Sequence, residues 1–185
     1  MKPLISLLIP LLFCGAAFSQ SVSPDYSEHK KQIAQFDMLD GTWVGEGWMI
    51  TPQGERVTYT QTERVGSFLH GNIKMIEGRA YDADGSVRFN ALGIISFQHR
   101  EGTLNFRSYA MGREGDYVIQ PTDNGFIWEI PMGDALIRYT AVISNDTWVE
   151  TGERIAEGQS PFTFLRMELT RTGDTDWPAA KPVTP

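Results

Sequence analysis

From Thr42 to Arg171 apolar and polar residues alternate with period two, and turn signals break the alternation at short intervals. The breaks include Pro52-Gln53-Gly54, His70-Gly71-Asn72, Asp84-Gly85, Arg100-Glu101-Gly102, Gly112, Asp123-Asn124-Gly125, Gly133-Asp134, Asn145-Asp146 and Gly158. Between them lie segments rich in Val, Ile, Thr, Tyr, Phe and Trp. This spacing predicts strands over 42–50, 55–66, 72–81, 86–97, 103–110, 115–120, 126–131, 135–143, 147–154 and 162–171, joined by hairpin turns. A meander of this many strands closes, because closure removes exposed edges. The pattern therefore predicts an all-β fold, an antiparallel up-and-down β-barrel of about 8–10 strands.

Alternation also assigns faces. Leu165, Met167, Leu169 and Arg171 share one, as do Phe126, Trp128 and Ile130; Ile137, Tyr139, Ala141 and Ile143; and Leu104, Phe106 and Ser108. The second and third strands are less clean. Their expected inward sets are Val57, Tyr59, Gln61, Glu63 and Val65, then Ile73, Met75, Glu77, Arg79 and Tyr81. That parity puts acids and an arginine inside, where charge is costly unless paired or wet. Either the parity flips at a bulge and these are surface charges, or the barrel holds a polar, hydrated cavity.

Ahead of the barrel, residues 20–40 read as a linker and a short helix. Ser23-Pro24-Asp25 has the composition of a helix start, and Ile33, Phe36 and Leu39 recur at spacing three before Gly41. A helix over about 25–37 is expected to cap one barrel end. The barrel domain is expected over 41–172. The Pro-, Ala- and Thr-rich tail, 173–185, is expected to be irregular and to fray over the surface.

Residues 1–19 follow a different rule. A basic start, Met1-Lys2-Pro3, precedes an apolar run from Leu4 to Phe18 and the small-residue pattern Ala17-Phe18-Ser19, as in a cleavable signal peptide. The run is shorter than the roughly 20 residues a membrane-spanning helix needs. The expected address is the periplasm first and the extracellular medium second, with no transmembrane segment after signal removal. Cys14 follows Phe13, where a lipidation signal calls for a small residue. It is the sole cysteine, so the expected mature chain has no disulfide or thiol chemistry.

The net charge of −7 falls to −8 once Lys2 leaves with the signal. Such a chain favours neither nucleic acid nor anionic lipid as partner. The histidines, His29, His70 and His99, have no spacing that builds a metal site, and no metal or cofactor is expected. No nucleophile elbow is present, and Gly45-Glu46-Gly47 lies inside a strand rather than before a helix. No catalytic residue is assigned.

The segment Gly41-Thr42-Trp43-Val44-Gly45-Glu46-Gly47, a Gly-x-Trp entry to the first strand after a helix, resembles the opening of lipocalin-like (calycin) barrels. That resemblance implies structural closure of one barrel end, with Trp43 as plug and Arg171 of the last strand packed across it by a cation–π contact. The same opening is similar to that of nitrobindin-like haem barrels. Those take an iron ligand from a late-strand histidine, and this chain has none after His99. The fuller resemblance is to exported barrels of unknown function of the DUF1579 type. It rests on that segment, on Leu92-Gly93-Ile94-Ile95-Ser96-Phe97, on Thr147-Trp148-Val149-Glu150-Thr151-Gly152-Glu153 and on Met167-Glu168-Leu169-Thr170-Arg171.

A barrel of this size encloses a small ligand or fills itself with side chains. The expectation is an exported barrel that binds a small apolar or amphipathic molecule. Its candidate cavity residues are Tyr59, Glu63, Glu77, Arg79, Phe106, Trp128, Tyr139 and Trp148, with Tyr81 and Phe89 as further wall candidates. Two alternatives stand beside it. One is a cell-envelope interaction protein, with the outer face of Asn105, Arg107 and Tyr109 as its surface. The other is a cofactor-free acid–base enzyme using Glu63, Glu77, Arg79 or Glu150, which requires two carboxylates converging in unequal environments. Oligomeric state is left open.

Overall fold

The computed structural model describes residues 26–178, so the expected signal peptide, the Ser23-Pro24-Asp25 helix start and the last residues of the tail lie outside the described residues. One helix, α1 (Ser27–Ala34), and a 3-10 turn (Asp37–Leu39) precede ten strands. These are β1 (Gly41–Ile50), β2 (Arg56–Phe68), β3 (Ile73–Tyr81), β4 (Val87–Gln98), β5 (Thr103–Ala110), β6 (Arg113–Thr122), β7 (Gly125–Met132), β8 (Ala135–Ser144), β9 (Thr147–Ala156) and β10 (Phe162–Gly173). Each strand pairs with its sequence neighbour, and β1 closes on β10, all antiparallel. The expected all-β up-and-down barrel is the observed fold.

The turns show why the chain folds back where it does. Asn145 and Asp146 both adopt positive φ, 50° and 58°, the two left-handed residues that a type I′ hairpin between β8 and β9 requires.

At one end the barrel is plugged. Ile33, Phe36 and Leu39, the spacing-three stripe, are fully buried and pack with Trp43, Val65, Ile95, Ile119, Phe126, Ile143, Trp148 and Leu169. The plug is held by polar contacts as well. The Trp43 indole donates to the Leu39 carbonyl at 2.8 Å. Lys74, with no exposed surface, reaches Asp37 at 2.8 Å, Asp40 at 2.7 Å and the Ser67 hydroxyl at 2.8 Å. Three acceptors satisfy all three ammonium protons, the condition for holding a cation out of water. Burial raises the Asp40 carboxyl above its usual range, against the pull of the Lys74 hydrogen bond and charge.

Arg171 is the cross-strand partner of Trp43, but its guanidinium does not lie over the indole. It donates to the Asp40 carbonyl at 3.1 and 3.2 Å and to the Asp174 carboxylate at 2.8 Å. The expected cation–π closure is thus replaced by a clasp on the plug's backbone, because a carbonyl and a carboxylate outcompete a ring face for guanidinium protons.

Directly opposed residues share a face, so the pairings settle the parity of β2 and β3. Glu63 lies opposite Gly78, Gln61 opposite Ala80 and Ser67 opposite Lys74. The β2 set of Val57, Tyr59, Gln61, Glu63 and Val65 faces inward as expected. In β3 the inward residues are Lys74, Ile76, Gly78 and Ala80, so Ile73, Met75, Glu77, Arg79 and Tyr81 face out. Lys74 decides it, since its three acceptors all lie at the plug.

The described part of the tail, 174–178, is irregular and runs along the outer wall. Trp177 packs on Gly66, where a β-carbon would sit 2.8 Å from its own Cβ, and meets the Phe68 ring edge-on at 5.6 Å. The Arg64 guanidinium lies over the indole at 4.2 Å.

Candidate functional site

Above the plug, the inner wall carries a second layer of a different kind. Here large side chains lie flat against inward glycines of the barrel wall. A β-carbon on Gly47 would meet the Tyr59 ring at 2.3 Å, and one on Gly93 the Phe106 ring at 2.3 Å. One on Gly115 would meet the Tyr117 hydroxyl at 2.2 Å, and one on Gly78 the Glu63 carboxylate at 2.6 Å. Glycine at these positions lets the side chains hug the wall rather than crowd the axis. Ten strands also make a wider barrel than the eight that side chains can fill.

The aromatic part of this layer centres on Trp128 of β7. Its ring stacks on Tyr139 at 4.3 Å and meets Phe106 at 5.0 Å and Tyr117 at 5.3 Å. The polar part is two carboxylates. Glu63 of β2 is 9% exposed and accepts from Gln61 at 2.6 Å through Oε1; its Oε2 has no hydrogen-bond partner among the described residues. Burial pushes its carboxyl up to about 8, against the Gln61 hydrogen bond and with the help of the Glu150 and Glu77 charges. Glu150 of β9 lies deep in the barrel yet keeps part of its surface accessible, so it borders open space in the lumen. Burial pushes it up to about 7, against hydrogen bonds from the Trp148 indole, at 3.3 Å, and from Trp128. Burial, with the charges of Glu150 and Glu63, also pushes the Tyr59 phenol up to about 12. Tyr139 rises to about 12 for the same reasons, burial first and then Glu150.

Beside this layer the barrel wall is weakly paired at one place. The β6–β7 ladder runs only from Thr122↔Gly125 to Ile119↔Trp128, and there the two strands part. Pro131 has no N–H with which to continue it. Along this seam lies a cleft of about 340 Å³, lined mostly by outward residues, among them Asp116, Val118, Glu129, Pro131 and Leu136, and reaching inward only to Tyr117 and Trp128.

The structure thus brings Tyr59, Glu63, Phe106, Trp128 and Tyr139 to the inner wall. Trp148 also faces in, but its ring is packed into the plug core against Trp43 at 5.8 Å. Glu77 and Arg79 are not in the lumen. They form an outer-wall network in which Glu77 accepts from Arg64 at 2.8 Å and Arg79 at 2.7 Å. Slight burial raises the Glu77 carboxyl, but these hydrogen bonds win and hold it below its usual range. Tyr81 faces out with them. Phe89 faces in at the mouth, 36% exposed. The outer face of β5 is polar. Arg107 bonds Tyr109 at 2.7 Å, Glu114 at 3.0 Å and Asp116. Tyr117 is the lumen group that the sequence reading does not single out, while Glu150, named among the acid–base candidates, faces in. The signal for Glu150 is its alternation with Trp148 and Gly152 in β9, which share its face.

Among the described residues no group of three or more His, Cys, Asp or Glu is arranged to hold a metal. The rings of His29 and His99 stack at 5.8 Å beside Phe97. Among the described residues no helix is long and apolar enough to cross a membrane.

The fold has a counterpart among solved structures. The chain is similar to the crystal structure of Rv2717c from M. tuberculosis. The match has a TM-score of 0.56 at 16% sequence identity and covers 80% of this chain and 99% of that one. At this identity the likeness concerns the fold alone. No protein-family model and no curated protein sequence matches the chain.

Proposed function

We propose that this protein is a small-molecule-binding barrel of the lipocalin-like kind, close in type to the DUF1579 barrels, and that its ligand sits in the lumen above the plug. The observation that carries the reading is the arrangement of that layer. Rings and the Glu63 carboxylate lie over glycines, and Glu150 on the same inner face keeps part of its surface accessible. A barrel that existed only to be stable would fill this layer with aliphatic side chains, without two costly carboxylates. The seam between β6 and β7 is the proposed way in. Export by the N-terminal segment, to the periplasm or beyond, belongs to the same proposal, with the barrel at 41–172 as the exported domain.

Native mass spectrometry of the protein recovered from its own source tests this. The expected result is an added mass that leaves on denaturation. A bare chain that also takes up no apolar or amphipathic probe would overturn it.

A second reading, a cofactor-free acid–base enzyme, is favoured by one observation. Glu63 and Glu150 both face the lumen in unequal surroundings, one beside an amide and the other beside two indoles. It predicts that the bound mass changes on incubation, whereas binding alone leaves it intact.

A further inference from the structure

We infer that the ligand is an amphipathic organic cation, whose ammonium head lies between Glu63 and Glu150 against the Trp128–Tyr139 face; this rests on the binding reading above. The charges on the inner wall select for such a ligand. The two carboxylates project from β2 and β9, which flank the closing pair β1 and β10. Glu150 faces Met167 across the β9–β10 ladder, Met167 faces Gly47, and Gly47 faces Tyr59. At that level the wall between Glu150 and Tyr59 is therefore a methionine and a glycine.

Among the described residues no cation on the inner wall answers these acids. Lys74 is consumed by Asp37, Asp40 and Ser67 at the plug. Arg171 is engaged with the Asp40 carbonyl and Asp174. Arg64 and Arg79 lie outside the wall on Glu77. The remaining inward arginines, Arg113 and Arg154, stand exposed. Each alternative ligand class meets a penalty. An anion would be repelled by whichever carboxylate is ionised and would find no cation to pair with. A purely apolar ligand would dry them and leave Glu63 Oε2 unanswered. A cation pairs with them, and the electron-rich faces of Trp128, Tyr139 and Tyr117 complete its shell. The net charge of −7 draws such a ligand in.

The groups that face the two carboxylates are Tyr59 and Gln61 of β2, Tyr139 of β8, the indoles of Trp128 and Trp148, and, through the wall, Glu77. None supplies a positive charge. Burial, with no positive charge to offset it, raises both carboxyls, so a cation is expected to displace protons as it binds.

The test compares three submicellar probes of equal chain length, decyltrimethylammonium, decanol and decanoate, by tryptophan fluorescence and calorimetry. The expected order is cation over alcohol over anion, with at least a tenfold gap between cation and anion. Cation affinity is expected to rise about tenfold from pH 6 to pH 8.5, with proton release seen as a buffer-dependent heat. Glu150→Gln and Glu63→Gln, each checked by circular dichroism, are expected to lose most of the cation preference while keeping the alcohol. Should either variant fail to fold, the pH series on the unaltered protein still decides. Equal or tighter binding of decanoate or decanol overturns the cation assignment and leaves the binding reading standing. Binding of none of the three overturns both.

Discussion

Lys74 shows how one side chain fixes the placement of a whole segment. Its charge is held by Asp37 and Asp40 from the plug and Ser67 from β2, so docking of the plug and folding of β3 are coupled. The two aspartates keep 61% and 34% of their side-chain surface, while Lys74 keeps none. Removing the acids therefore strands a buried cation, whereas removing the cation leaves acids that water can reach. The double change Asp37→Asn, Asp40→Asn is expected to cost about 3–5 kcal/mol, and Lys74→Met less, in denaturant unfolding. The inward glycines act at the same scale. Gly93→Ala places a β-carbon 2.3 Å from the Phe106 ring, and the overpacking is expected to cost about 1–3 kcal/mol. The double variant Gly93→Ala, Phe106→Leu is expected to recover part of it.

Among the elements, period-two alternation and turn residues made all ten strands legible, because a barrel wall has a single buried face and short hairpins. β3 misled for a physical reason. Ile73 and Met75 look like core residues but face out, in the part of the outer wall where Trp177 covers Gly66 and Phe68. Lys74 looks like surface but faces in, since its partners lie 34 to 37 residues back in the chain. Pairings at that distance leave no local trace. The candidate site was half legible for the same reason. Tyr59, Glu63, Phe106, Trp128 and Tyr139 sit where alternation put them, while Glu77 and Arg79 moved out with their strand. The part of the seam that local pattern hints at is Pro131 in β7. Hydrogen exchange followed by mass spectrometry is expected to find 129–132, paired with β8 alone, exchanging ahead of 125–128, paired on both sides. Equal protection along β7 would mean that the seam is closed in solution.

For the molecule as a whole, the two deep glutamates set the response to pH. Their folded-state values, about 8 and about 7, lie above the ordinary 4.5, so the folded chain binds more protons than the unfolded one between those limits. Stability is therefore expected to fall as pH rises from about 5 to about 8, by on the order of a few kcal/mol. Asp40, also raised, adds in the same direction. Glu77, lowered, acts only in acid, where its network weakens as it protonates. Unfolding in urea at pH 5.5 and 8.5 measures the slope, and the double variant Glu63→Gln, Glu150→Gln is expected to flatten it. Two carboxylates thus sit deep inside a barrel whose described residues give them no cation. Carbon-13 NMR of the glutamate side-chain carboxyls across pH 3 to 10 tests it most directly. Two resonances titrating near 7 and 8, lost one each in Glu150→Gln and Glu63→Gln, are the predicted result. Every glutamate titrating near 4.5 would contradict it and with it the proposed site.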